Sequence, residues 1–334
     1  MTTDSADRGD RGGPARIGTT DVRRLESATR VLREQDYRDG GGSCRTAVRS
    51  QVAHGRRLLR AQAREAVRDR LLVALADLHN LAGWVAFDTG HPRAARTHYR
   101  SALTLLDGHA QQDLVANVHY RIGRIHLHHR DHTGALREFG HALAAAERVG
   151  SSRTAAIVFA NQAWAHALRG SRVEALTLLV RAEDRLASAA GSAAPSWAGF
   201  FDPTDLQAMI GVVHAELAVR GDRTSLRVAV PALTAAVEGY GASMRRSAAF
   251  CLTALALGHV LDGDPVAGAG TGGRALEAAR ELTSTRVADR MRPLLEHCAR
   301  RRHAALADLA ERLRPFVTRR HGRPGVGRPP ARDR

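Results

Sequence analysis

Residues Asp77–Leu106 read DLHNLAGWVAFDTGHPRAARTHYRSALTLL. The same order of residue types returns 40 positions later in NVHYRIGRIHLHHRDHTGALREFGHALAAA (Asn117–Ala146), and again in IVFANQAWAHALRGSRVEALTLLVRAEDRL (Ile157–Leu186). At that offset His79 falls on His119 and Phe159, and Gly83 on Gly123 and Ala163. Ala95 lies over Ala135 and Ala175, Tyr99 over Phe139 and Leu179, and Ala102 over Ala142 and Ala182. Each unit holds two helical patterns divided by a short break at Gly90-His91-Pro92, Arg130-Asp131-His132 or Gly170-Ser171. Pro92 stands at the start of a second helix, where its missing N–H costs little.

The small–large–small order has a packing reason. Ala95 and Ala102 are seven residues apart and share one helical face, with Tyr99 between them. The alanines let the paired helix approach, and the ring fills the space that remains. One helix pair cannot bury its own apolar face, so such units stack in arrays of about three or more. Downstream, Asp205–Arg220 with Thr224–Tyr240 reads as a fourth pair, its second helix perturbed by Pro231. Ser243–Leu261 with Pro265–Leu282 reads as a fifth, and Val287–Phe316 as the end of the array. Upstream, Val22, Leu25, Thr29 and Leu32 keep helical spacing until Gly40-Gly41-Gly42, read as a helix-breaking linker; Val48, Val52 and Leu59 then form a second apolar face.

Composition agrees with an all-α, right-handed solenoid of about five helix pairs plus flanking helices. Hydrophobic residues make up 44% of the 334-residue chain but aromatics only 4%. A core of Ala, Leu and Val suits close helix packing and suits a strand-rich fold poorly. The expected layout is a disordered segment over 1–20, the helical repeat domain over 21–316, and a disordered Arg/Pro/Gly-rich tail over 317–334.

The small–large–small pattern and the Gly or Ala at each helix crossing resemble the tetratricopeptide repeat, most clearly over Leu71–Ala190. The wider chain resembles the tetratricopeptide regulatory proteins of spore-forming actinobacteria. The stretches that carry this are DYRDGGGSCRTAV (Asp36–Val48), ALADLHNLAGWVAFDTG (Ala74–Gly90), ANVHYRIGRIHLHH (Ala116–His129) and PSWAGFFDPTDLQAMIG (Pro195–Gly211). The resemblance implies partner binding in transcriptional control of development or secondary metabolism. Many members open with a helix-turn-helix domain. Here about 20 polar residues precede the first predicted helix, so only the partner-binding part is expected.

In a stacked array the first helix of each pair lines the concave side. The register puts Trp84, Arg124 and Trp164 in one row, Asn80 and Tyr120 one turn back with Ala160, and Asp77 and Asn117 beyond them with Ile157. This is the expected ligand-binding set: Asp77, Asn80, Trp84, Asn117, Tyr120, Arg124 and Trp164. Asn side chains pair with peptide groups, Arg clamps a carboxylate and the rings anchor apolar side chains, which points to a peptide or protein partner. The alternative is that the tryptophans fill space between neighbouring pairs. Trp197, Phe200 and Phe201, in the connection Ala190–Asp205, read as a plug on the solenoid or as an exposed docking patch.

The formal charge is +16, and with no lysine present all 50 basic residues are arginine. That bias, with abundant Ala and Gly, is the mark of GC-rich coding and discounts the charge as evidence of a polyanion partner. Yet Ala299–Arg334 holds 11 Arg against Asp308, Glu311 and Asp333, half of the excess. Arg319, Arg320, Arg323 and Arg328 are the candidate nucleic-acid contacts, non-specific ones, since extended Gly-Arg-Pro segments suit a narrow minor groove. A solubilising tail is the alternative.

No catalytic site is expected, because GxSxG and HExxH are absent and Cys44 has no evident His partner. The run His126, His128, His129, His132 crosses a helix end with no Cys or Glu to complete a metal set. Gly268–Gly273 lacks the preceding strand and the lysine of a phosphate loop and reads as a degenerate repeat helix. No cofactor is implied. Three scattered cysteines without a CxxC, a polar N-terminus and the absence of an 18-residue apolar run point to the cytoplasm and away from a membrane.

Overall fold

A computed structural model describes residues 16–195 and 197–319. Among these residues the secondary structure is helical, apart from an isolated bridge between Arg16 and Gln62. Fourteen α-helices form seven hairpins in chain order. They are α1 (Thr19–Asp39) with α2 (Gly41–Leu58), α3 (Glu65–Asp88) with α4 (Pro92–Leu106), and α5 (Gln112–His128) with α6 (His132–Arg148). Next come α7 (Ser152–Leu168) with α8 (Arg172–Ser188), and α9 (Pro203–Val219) with α10 (Leu226–Gly239). The last two are α11 (Arg245–Asp262) with α12 (Pro265–Arg280), and α13 (Thr285–Ala299) with α14 (Ala304–Arg319). The five expected pairs therefore stand, flanked by one hairpin at each end.

Size matching at the helix crossings holds each hairpin together. Ala95, Tyr99 and Ala102 are fully buried, as are Ala135, Phe139 and Ala142. Glycine on the facing helix makes room for each ring: a Cβ at Gly83 would lie 2.6 Å from the Tyr99 ring, and one at Gly123 would collide with the Phe139 ring. In the third unit the large residue shrinks to Leu179 and the facing residue grows to Ala163, so volume is conserved across the crossing. The rule persists after the 40-residue period is lost. Gly211 meets Leu233, and within α12 Gly272 meets Leu309 of α14. The Gly268–Gly273 run is thus helical and lets a neighbouring helix approach closely.

Two boundaries differ from the sequence reading. Residues 16–20 belong to the fold: Ile17 is buried and its N–H bonds the Gln62 carbonyl at 3.0 Å. At the other end α14 continues to Arg319 with Val317 buried. A single buried apolar anchor near each end outweighs the polar composition around it.

The first helices of successive hairpins pack in series from α1 to α13, and the series returns on itself because α11 packs against α1. Backbone bonds close the seam. Thr283 N–H donates to the Asp39 carbonyl at 3.1 Å, and Gly42 N–H donates to the Thr283 carbonyl at 3.0 Å. The triple glycine is therefore the seat of the closure, and the linker expected there is a single residue, Gly40, at φ 87°. That positive φ suits only glycine without strain. A Cβ at Gly42 would stand 2.8 Å from the Thr283 carbonyl oxygen.

Among the described residues one helix, α3, is long and apolar enough to cross a bilayer, but 83% of that window is buried inside the fold.

Candidate functional site

Closure turns the concave face into a cavity of about 820 Å³ including its open mouth. Its walls come from the first helix of every hairpin, α1 to α13, with Phe200 and Phe201 of the α8–α9 connection forming one side.

The register brings the central row together as expected. The Arg124 guanidinium stands between the two tryptophans, 5.9 Å from the Trp84 ring centre and 5.0 Å from that of Trp164. It donates to the Tyr120 hydroxyl at 3.1 Å and to Asn161 Oδ1 at 3.2 Å. Trp84, Tyr120 and Arg124 line the cavity; Trp164 backs it through Arg124. The other three expected residues do not line it. Asp77 accepts from Arg33 at 2.5 Å, Asn80 Nδ2 donates to Asn117 Oδ1 at 2.9 Å, and Asn117 Nδ2 donates to the Trp197 carbonyl at 3.3 Å. They are consumed in the seams between helices. Register gives the face a residue sits on, but not its depth.

An extended peptide cannot lie along the tryptophan row, because α13 covers it. Arg286 stacks 4.3 Å from the Trp84 ring centre, and Arg290 stacks 4.3 Å from that of Trp164. Both also face Phe250 of α11. These arginines are four apart on one helix face, but α13 shares no repeat register with α3, α5 and α7. In a chain with 50 basic residues nothing else marks them.

Asp88 and Asp36 hold the closure electrostatically. Asp88 is fully buried and accepts four bonds: Gly41 N–H at 2.9 Å, Arg246 at 3.1 Å, Ser284 Oγ at 2.8 Å and Arg286 Nε at 2.7 Å. Asp36, also buried, takes two bonds from Arg246 at 3.0 Å each. Burial pushes the Asp88 carboxyl up, but Arg246 and Arg286 outweigh it and hold it at about 2. For Arg246, burial opposes the charge while Asp36 and Asp88 more than restore it, leaving its pKa raised. The network joins α1, α3, α11 and α13.

Three cavity arginines stand outside it. Among the described residues no carboxylate lies within ion-pair distance, 4.0 Å, of Arg121, Arg124 or Arg290. Arg121 is buried and donates to the Asn80 carbonyl at 3.2 Å. Arg290 is pulled down to about 9, first by burial and then by Arg124 and Arg286, while Glu216 pulls the other way from farther off. Burial in turn holds the Glu216 carboxyl above its ordinary range. Asp205, whose carboxylate accepts from the Tyr240 hydroxyl at 2.9 Å, is raised by burial to about 7.

The aromatic connection is an ordered plug. Phe201 is buried, Trp197 Nε1 donates to Asp113 at 3.2 Å, and Phe200 meets Tyr37 with ring centres 6.0 Å apart. Within the histidine run, His126 pairs with Asp131 at 2.7 Å and His128 with Asp289 at 3.2 Å, while the His128 and His129 rings meet edge to face. Among the described residues no three His, Cys, Asp or Glu side chains are placed to hold a metal. Arg320, Arg323 and Arg328 lie outside the described residues, as does the side chain of Arg319.

Fold and site together define a class: an all-α array of helical hairpins, closed on itself around an arginine- and aromatic-lined cavity. No protein-family model matches the chain, and no curated protein is similar enough to it to match.

Proposed function

We propose that this chain is a non-catalytic, tetratricopeptide-like regulator whose right-handed solenoid recognises a partner through its concave face. The observation that supports this reading is the placement of Trp84, Arg124 and Trp164, residues 40 apart in sequence, against one central cavity. A peptide or protein partner engages it by inserting a chain end or a side chain, since α13 occupies the length of the row. Action in transcriptional control, in the cytoplasm, rests on the resemblance to actinobacterial tetratricopeptide regulators.

The test is affinity capture of the tagged full chain from its own host, beside Arg124→Gln at matched expression and thermal midpoint. A protein enriched by the parent and lost with Arg124→Gln supports the reading. Equal enrichment by both removes the concave face from it.

A further inference from the structure

The cavity holds more positive charge than the fold requires. Arg246 and Arg286 are explained by closure, because each is bonded to Asp36 or Asp88. Arg121, Arg124 and Arg290 are not, since none has a carboxylate in ion-pair contact among the described residues. Arg121 is buried and Arg124 and Arg290 are half-buried, and removing a cation from water without a counter-charge is unfavourable unless something compensates. Ring faces of Trp84, Trp164 and Phe250 compensate in part. The two further acids nearby are poor counter-ions: burial drives both Glu216 and Asp205 toward their neutral forms.

Two further features belong to a receptor site. Among the described residues, neither the buried Tyr37 hydroxyl nor the buried Trp84 indole N–H on the cavity wall has a hydrogen-bond partner. Each is a donor that the described fold leaves unused. Phe200, Met209, Val212 and Phe250 supply an apolar part of the wall, beside the polar Asn161, Asp205, Tyr240 and Ser247.

We propose that the cavity is the receptor site for a small organic anion with one carboxylate, sulfonate or phosphate on an aromatic or branched apolar body. The acid group sits between Arg124 and Arg290, and the body lies against Phe250, Phe200 and Met209. This rests on the reading that the concave cavity is the recognition site, and it names the chemistry recognised there. Arg290 then serves the ligand at the expense of the empty fold. Replacing it by an apolar residue of similar length must weaken anion binding without weakening the protein.

The experiment uses the purified full chain and two probes of one shape, 8-anilinonaphthalene-1-sulfonate and its uncharged counterpart N-phenyl-1-naphthylamine, titrated by fluorescence and calorimetry. The sulfonate is expected to bind at one site per chain, at least tenfold more tightly than the neutral probe. Arg290→Met and Arg124→Gln are expected to lower sulfonate affinity at least tenfold, with the thermal midpoint of Arg290→Met unchanged or raised. Arg49→Gln, which removes an exposed charge on α2, leaves affinity unchanged. Equal affinity for the two probes overturns the proposal, because the arginines are then not being read. So does sulfonate binding that survives both variants, or the absence of binding by either probe. Any of these results alongside Arg124-dependent capture of a protein overturns the small-anion proposal alone and leaves partner recognition standing.

Discussion

Asp88→Asn probes the closure with almost no change in shape. The native carboxylate accepts on both oxygens: Oδ2 from Gly41 N–H and Arg246, Oδ1 from Ser284 and Arg286. An amide has one accepting oxygen, so its NH₂ must face two of those four donors. Arg246 keeps its paired bonds to Asp36, but Arg286 loses the one carboxylate in ion-pair contact with it among the described residues. Removing one partner of a buried ion pair costs about 3–5 kcal/mol. At roughly 2–4 °C per kcal/mol, the conversion for domains of about 150–250 residues, the midpoint should fall by about 6–20 °C. Circular dichroism during heating measures the total, and hydrogen exchange locates it. The amides of α13 and of the 283–285 seam should lose protection first, because α13 reaches α3 through this network. A fall of under about 2 °C with α13 protection intact would refute the view that Asp88 holds the closure.

Three other outcomes follow from the same geometry, and a fourth from the sequence of the C-terminal tail. Gly123→Ala should cost about 1–3 kcal/mol by overpacking Phe139, and adding Phe139→Leu should recover most of it, as Ala163 with Leu179 does one unit later; thermal unfolding of the double-mutant cycle measures the coupling. Asp88 is depressed to about 2, so its contribution is complete above the ordinary carboxylate range near 3.8 and disappears as pH falls towards 2; acid unfolding of Asp88→Asn should lack that component. Asp205 has the opposite sign, since its folded value is raised to about 7: stability is greatest below about 4 and declines as pH rises through 7. Asp205→Asn should therefore gain on the parent at pH 8 in urea titrations and flatten that slope. If the arginine-rich tail anchors the chain to DNA, random duplex should bind the full chain with steep weakening from about 50 to 300 mM salt, and a chain ending at Thr318 should not bind.

The hairpins could be read from the sequence because their determinants are local and periodic. Gly83 with Tyr99 and Gly123 with Phe139 lie within one helix pair, and the spacing of 40 makes them visible by repetition. The Trp84–Arg124–Trp164 row was legible for the same reason. The closure was not. Arg246 meets Asp36 across 210 residues and Asp88 across 158, and neither contact repeats. Gly40–Gly42 misled because a glycine run that breaks a helix and one that admits another backbone look alike in sequence. Arg286 and Arg290 were hidden by the abundance of arginine, since only placement separates a buried guanidinium from a solvated one. Asp77, Asn80 and Asn117 lie off the cavity, because polar residues on a concave face also serve to seal neighbouring helices.

Open repeat arrays can gain or lose a unit at their ends, and often in the middle, with little consequence for the rest. Here the seam between Asp39, Gly42 and Thr283 makes hairpin number a closed quantity, as strand number is in a barrel. One extra unit inserted between α8 and α9 would carry Arg246 away from Asp36 and lift α13 off the tryptophans. The cavity would then open into an ordinary groove. Duplication, the usual way such proteins diversify, is therefore barred to this one across α1–α11, and its specificity can change only by substitution within the walls.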